Sequence, residues 1–255
     1  MKKKFLSILA AGIFFISGFT SAAEIQGNGY IEVTEIQYYV QGKSLNELKR
    51  MAEMRAYRKL AEELGELHIS STSTMKDEML DDNVKVEVEK TVHGAKIISN
   101  VRDSENNFTA TVRLNLYGGQ NSIANIVVPK NTPVEPFPDF NPVFLTMDTN
   151  YTGLIIDCGG QLTDTAMLPK IVSMSGKEIY SVQYLDRNMV VNRGMVAYTD
   201  SANSGIQRAG SNPLTIQGMV MGGCDVTVSD DDAEKILAAN SKSNFLKNCM
   251  VVFIK

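Results

Sequence analysis

The chain reads as an α+β protein made of two small α/β domains. Three observations carry this expectation. A strand, a long amphipathic helix and further strands follow one another in residues 30–116. Five of the seven prolines fall between Pro129 and Pro142. From Gly153 onward, short apolar runs alternate with a well-capped helical segment. The length of 255 residues suits one large domain or two ordinary ones. Hydrophobic residues at 44% and charged residues at 21% exclude a mainly disordered or collagen-like chain. With 25 Lys and Arg against 29 Asp and Glu, a formal −4, there is no basic excess of the kind that marks a nucleic-acid footprint.

The N-terminus comes first. Lys2, Lys3 and Lys4 precede an apolar run from Phe5 to Phe19, and Ser21-Ala22-Ala23 supplies the small residues that signal peptidase reads before Glu24. Residues 1–23 are therefore expected to be a cleaved secretory signal. The apolar run is about 15 residues, short of the roughly 20 needed to span a bilayer as an anchor. Removing the three lysines leaves 22 basic and 29 acidic residues, a formal −7. A periplasmic location follows as an expectation. The first cysteine is Cys158, so no direct membrane anchor on an N-terminal Cys is expected.

Residues 24–117 are expected to form the first domain. Ile31 and Val33 alternate in one phase, and Ile36, Tyr38 and Val40 in the other, which predicts a bulged strand near Thr34–Glu35. Ser44-Leu45-Asn46-Glu47 is a capping box: the Ser hydroxyl accepts from the N3 amide while the Glu accepts from the N-cap amide. Leu45, Leu48, Ala52, Ala56, Leu60 and Leu64 follow at helical spacing, predicting a helix over 44–64 with Gly65 as its C-cap. Leu67 and Ile69 open a Ser/Thr-rich strand segment. Val84, Val86 and Val88 alternate with Lys85, Glu87 and Glu89, which predicts another strand. Residues 95–101 pair with 108–116 across a turn at 103–107, with Phe108, Ala110, Val112, Leu114 and Leu116 on one face and Thr109, Thr111, Arg113 and Asn115 on the other. The order is β-α-β-β-β, one helix on a mainly antiparallel sheet.

Residues 118–149 are expected to be a proline-rich linker, semi-rigid and packed through Phe137, Phe140 and Phe144. Residues 150–255 are expected to form the second domain. Gly153–Cys158 reads as a strand buried on both faces. Segments 170–172 and 178–180 flank a Ser175-Gly176-Lys177 turn, and 212–218 and 225–228 read as strands. Ser229 caps a helix with Asp230, Asp231 and Asp232 in its first turn, and 249–254 is a final buried strand.

The chemistry-bearing residues are few. Only His68 and His93 are present, both read as strand or surface histidines. Asp230-Asp231-Asp232 lacks the alternate spacing and distant Glu of a Ca²⁺ loop, so helix capping explains it better than a metal. Asp157 and Asp164 are the one carboxylate pair a hydrolase reading would use. Ser204 and Ser211 have no GxSxG context. Cys158-Gly159-Gly160 and Met221-Gly222-Gly223-Cys224 match neither nucleotide-binding glycine motif. Cys158, Cys224 and Cys249 allow one disulfide and one thiol, in three pairings that the sequence leaves open. No catalytic residue, cofactor or metal is expected, and the protein is not expected to be an enzyme.

Residues 27–116 resemble the lipoprotein-20 type domain of bacterial envelope proteins. The resemblance rests on Gly27 and Gly29 before the first strand, the Ala-spaced helix ending in Leu64-Gly65, the Ser/Thr-rich strand, the Val-rich 84–92 segment and the final alternating strand. The second half resembles the companion region of longer members through Tyr151–Asp157, Pro169-Lys170-Ile171 with Gly176 and Tyr180, Asp230–Ala233 and Val251–Ile254. Some members are flagellar: flagellar assembly protein T and the outer-membrane-associated flagellar protein P. The resemblance implies a non-enzymatic envelope protein acting in assembly or scaffolding. The partners it implies are envelope proteins, such as flagellar motor or outer-membrane components, together with further copies of itself. The alternative reading is a periplasmic small-molecule or peptidoglycan-binding protein.

Overall fold

The long helix organises the first half. Ser44 accepts from the Glu47 amide and the Glu47 carboxylate accepts from the Ser44 amide (Ser44 N to Glu47 Oε2, 2.8 Å), so both capping-box bonds are made. Helix α1 (Leu45–Glu66) follows, burying Leu48, Ala52, Ala56, Leu60 and Leu64. Leu45, read as part of that stripe, is exposed instead. The helix also runs past its expected stop: Gly65 is helical and buried, and Leu67 is the C-cap. In a computed structural model, residues 25, 29–131, 133–146, 150–201 and 207–255 are described. The expected signal segment 1–23, Gly27 and Ser204 lie outside the described residues.

Helix α1 covers one face of a three-stranded antiparallel sheet in the order β1 (Tyr30–Gln37), β5 (Phe108–Asn115), β4 (Lys96–Arg102). Phe108, Ala110, Val112 and Leu114 of the central strand are buried beneath it. The expected bulge in β1 is absent. Tyr30 faces Asn115 and the register continues unbroken to Gln37 opposite Phe108; the irregularity lies in β4, between Ile97 and Ser99. A short hairpin of β2 (His68–Ser70) and β3 (Ser73–Thr74) leads into α2 (Met75–Glu78).

The strand expected at 84–88 is a helix, α3 (Asp82–His93). Asp81 accepts from the amides of Asn83 and Val84, at 2.8 and 3.4 Å. Val-x-Val-x-Val contains two periods at once. Val88 and Val92, four apart, are the buried pair, while Val86 points to solvent, 48% exposed. The four-residue spacing and the cap outweigh the β-propensity of valine. The first half therefore runs β-α-β-β-α-α-β-β, and the α+β class stands.

Helix α4 (Ile123–Val127) opens the proline-rich stretch. Beyond it the chain lies along the second half. The Glu135 amide donates to Gln183 O at 2.9 Å, the Phe137 ring lies 5.3 Å from Tyr184, and the Asn141 amide donates to Glu234.

The second half holds two four-stranded sheets. One is fully parallel, in the order β10 (Pro213–Gln217), β6 (Gly153–Asp157), β13 (Val251–Ile254), β9 (Ala197–Thr199). The other is mixed: β11 (Met219–Met221), β12 (Asp225–Val228), β7 (Ile171–Ser173), β8 (Glu178–Tyr180). Helix α5 (Arg187–Arg193) precedes β9, and α6 (Asp230–Ser243) follows β12 with Ser229 as its N-cap. As expected, β6 is buried on both faces: Leu154 and Ile156 join the main core, while Ile155 packs with Val252, Ile254 and Ala209 on the other side.

The main core is continuous across both halves. Backbone bonds join them: the Met167 amide donates to His68 O at 3.1 Å, Leu168 to Ile69 O at 2.8 Å and Gly118 to Val191 O at 3.0 Å. The Arg187 guanidinium donates to Asn125 O at 2.8 Å. The buried Tyr117 ring lies against Gly29 of the first half and Gly194 of the second, where a Cβ would sit 2.2 and 2.7 Å from its carbons.

Candidate functional site

The side of the β1-β5-β4 sheet away from α1 is not covered by another layer among the described residues. Cross-strand neighbours share a face, so this open side carries four rows: Tyr30 with Asn115, Glu32 with Arg113 and Lys96, Thr34 with Thr111 and Ser99, and Ile36 with Thr109 and Val101. The middle rows are polar, and their β1 and β5 residues are paired with each other. Arg113 pairs with Glu32 (Nε to Oε2, 2.6 Å) and lies 4.0 Å over the Tyr30 ring. The Thr34 and Thr111 hydroxyls are 2.9 Å apart.

The last row differs. Ile36 is 40% exposed and Val101 60%, and beyond them Tyr38 is 64% exposed. Between these apolar groups, Gln37 takes the slot facing α1. It is buried, its amide nitrogen donates to Tyr38 O at 2.7 Å, and its Oε1 has no partner. The burial pattern is thus inverted at this end of β1, with the apolar side chains facing water and the amide in the core. The change of phase at Ile36 was the sequence signal for this. It reports a change in what the strand faces, not a bulge.

Both outer strands, β1 and β4, are sheet edges among the described residues. Edge β4 is exposed along most of its seven residues, including Ile97, Ile98 and Val101, and carries Lys96 and Arg102. Edge β1 carries Glu32 and Glu35. Open edges with apolar side chains template pairing with another chain unless they are charged or covered. A polar cleft of about 850 Å³ adjoins this sheet, between α3, the ends of β4 and β5, and α4. The side chains of Lys96, Asn115, Asn121 and Lys130 line it and make no hydrogen bond among the described residues.

The residues singled out for chemistry are dispersed. Asp157 accepts from the Gly159 amide at 2.9 Å and from Gln217 at 3.3 Å; Asp164 accepts from Thr163 at 3.1 Å. Asp157, at the end of β6, is thus held by its own turn and by β10, and Asp164 by its neighbour Thr163. Asp230 accepts from the Ser175 amide at 2.9 Å, and these Ser175 contacts hold its carboxyl below the usual range. Asp232 accepts from Ser229 Oγ at 2.7 Å and pairs with Lys235, while Asp231 is exposed in the same first turn. Ser229 caps α6 with the three aspartates in its first turn, as read from the sequence. His68 begins β2 and His93 ends α3. Ser211 is an exposed bend. Among the described residues, no group of three or more His, Cys, Asp or Glu is arranged to hold a metal ion, and no helix is long and apolar enough to cross a membrane.

The disulfide left open by the sequence is not formed: Cys158, Cys224 and Cys249 are free and buried. Burial, with a smaller contribution from Asp157, pushes the Cys158 thiol up to about 11; burial, with Asp225 and Asp164, pushes Cys224 up to about 12; and burial raises Cys249. Since the thiolate is the nucleophile, raised values mean less reactive thiol at neutral pH. Mass spectrometry after brief iodoacetamide treatment at pH 8 should therefore find no label on the native protein and three labels in urea. Rapid labelling of one native thiol would contradict this.

Residues 153–255 match the family described as Treponema pallidum Tp0624, second domain. The second half of this chain is thus similar to a bacterial protein domain, and the match runs from the first residue of β6 through the last strand. A comparison with curated proteins found no match.

Proposed function

We propose that this chain is a non-enzymatic, exported envelope protein that acts in assembly or scaffolding by protein–protein contact. The observation that supports this best is the inverted end of β1, where Ile36 and Tyr38 face solvent beside Val101 while Gln37 is buried with an unpaired oxygen. An isolated sheet has no reason to spend two apolar positions on water and a core position on an amide. A partner laid over the Ile36–Thr109–Val101 row would give those side chains a dry neighbour, and the open edges of β1 and β4 offer backbone pairing beside it. The opposite charges of the two edges suit contact between copies of this chain, β4 of one beside β1 of the next. Such contact is heterologous and closes into rings or extends, according to the rotation per copy.

The lipoprotein-20 type relation belongs to this proposal. In its favour stand the Ala-spaced helix on a three-stranded antiparallel sheet and the glycine before the first strand. A flagellar setting and a periplasmic location are further parts of the same proposal, resting on the resemblance and on the expected signal segment.

The test is light scattering on residues 24–255 over a range of concentrations, with crosslinked capture from envelope extract alongside. The reading expects self-association, or capture of a defined envelope complex. The double change Ile36→Glu and Val101→Glu, at exposed positions, should weaken it by about tenfold or more, equivalent to about 1.4 kcal/mol. A protein that stays monomeric and captures nothing would overturn the reading, as would association that the double variant leaves untouched.

A further inference from the structure

A second surface, away from the open sheet face, has a different character. The three helices α1, α2 and α3 enclose a groove of about 610 Å³. Its floor is apolar: Leu64 from α1, Met79 from the turn after α2, and Val88 and Val92 from α3. Tyr57 also lines it, but its hydroxyl already donates to Ala95 O at 2.8 Å, so it offers the groove a ring and not a free donor. Leu80, 84% exposed, stands at the rim, on the turn that joins α2 to α3.

The rim is basic. Arg58, Lys76 and Lys85 come from three separate elements, are all exposed, and their side chains make no hydrogen bond or ion pair among the described residues. Among the described residues Glu89 is the one carboxylate in the lining, and His93 lines it too, while Asp82, Glu87 and Lys90 of α3 lie outside the lining. Elsewhere on these helices lysines find carboxylates, as Lys59 does with Glu63 and Lys90 with Glu87. Around this groove three cations have none, in a chain whose overall charge is negative.

An apolar trough without free hydrogen-bonding groups suits a hydrocarbon chain, and unpaired cations at its mouth suit an anionic head. The groove's volume lies within the roughly 300–1,000 Å³ of small-ligand sites. A stable protein partner buries roughly 800 Å² on each side, more than a trough lined by one face of three helices supplies. We propose that this groove binds a free single-chain anionic amphiphile, such as a long-chain carboxylate, with the chain along Leu64, Met79, Val88 and Val92 and the head group among Arg58, Lys76 and Lys85. Leu80 would lie over the chain. This site is independent of the sheet surface proposed above for assembly.

The test is calorimetric titration of the purified protein with dodecanoate, dodecanol and dodecyltrimethylammonium, each below its micelle concentration. Dodecanoate should bind at one site, about tenfold or more tighter than either of the others. Lys76→Glu combined with Lys85→Glu should remove that preference, or reverse it in favour of the cation, while leaving the circular-dichroism spectrum unchanged. Ala61→Trp, at an exposed position lining the groove, should abolish binding of all three. Three results would overturn the proposal: no dodecanoate binding, dodecanoate binding unaffected by the charge reversal and by Ala61→Trp, or binding only to anionic phospholipid vesicles. Capture of an acidic amphipathic peptide in place of dodecanoate would likewise overturn it, assigning the groove to a protein helix. None of these readouts depends on self-association, so failure here and failure of the assembly reading are distinguishable.

Discussion

Replacing Arg208 with methionine will cost the protein about 4 kcal/mol, because three carbonyls lose charged donors at once. The guanidinium donates to Cys249 O at 2.6 Å, Arg193 O at 2.8 Å and Gly194 O at 2.6 Å. These carbonyls belong to the end of α5 and to the turn before β13, so one side chain ties together the approaches to two strands of the parallel sheet. Cys249 sits in the left-handed region, with φ of 53°, an unusual conformation for a residue with a Cβ. The bond to its carbonyl helps hold it there. Burial lowers the guanidinium's pKa from its ordinary value, yet an arginine in this setting remains charged at neutral pH. Methionine fills much of the space and satisfies none of the carbonyls. Against a total stability of roughly 5–15 kcal/mol, such a loss is large. Urea denaturation followed by circular dichroism measures it. Arg208→Lys should recover part of the loss, since an ammonium reaches fewer of the three acceptors. A loss below about 1 kcal/mol for Arg208→Met would show that water replaces the guanidinium at little cost.

Gly153→Ala will be nearly as damaging, for a steric reason. A Cβ at this position would sit 2.3 Å from Ala209 O, 2.6 Å from Ala209 Cα and 2.7 Å from Met250 O. All three are backbone atoms. They flank the first residue of β6, whose neighbour Leu154 donates its amide to Met250 O at 2.8 Å. Relief therefore requires moving the chain that carries the parallel sheet. Overpacking of this kind costs about 3 kcal/mol, which in a protein of this size lowers the melting temperature by roughly 6–12 °C. Gly176→Ala is the control. Gly176 has φ of +88° and nothing near its missing Cβ, so its substitution should cost only about 1–2 kcal/mol of backbone strain. Thermal melts of the two variants separate lack of space from lack of conformational freedom. Equal losses would mean that the Gly153 clash is relieved by a small local shift.

Much of this was legible beforehand, and the legible parts share a cause. The Ser44 capping box, the stripe from Leu48 to Leu64, the β4–β5 hairpin, the β7–β8 turn and the Ser229 cap are all made by residues close together in the chain. Their hydrogen bonds and side-chain periods are local, so the sequence carries them directly. The α+β class followed from their order.

Where two local signals competed, the sequence could not choose. Val84, Val86, Val88 and Val92 fit a strand at a spacing of two and a helix at a spacing of four. The choice fell to the helix because Val88 and Val92 find a core to enter and Asp81 supplies a cap. The phase change in β1 was equally ambiguous. A bulge and an inverted face leave the same pattern, and only the unbroken pairing of Ile36 with Thr109 and Gln37 with Phe108 shows which occurred.

The sequence by itself determined the Ser44-capped and Ser229-capped helices and the β4–β5 and β7–β8 hairpins, since these depend on neighbours along the chain. Tertiary structure alone decided that the two halves share one core through β2, Tyr117 and Arg187, that all three cysteines are buried thiols, and that Arg58, Lys76 and Lys85 surround an apolar groove. The physical reason is range. Burial and charge clustering are set by which distant segments meet, and that meeting is fixed by packing the whole chain at once.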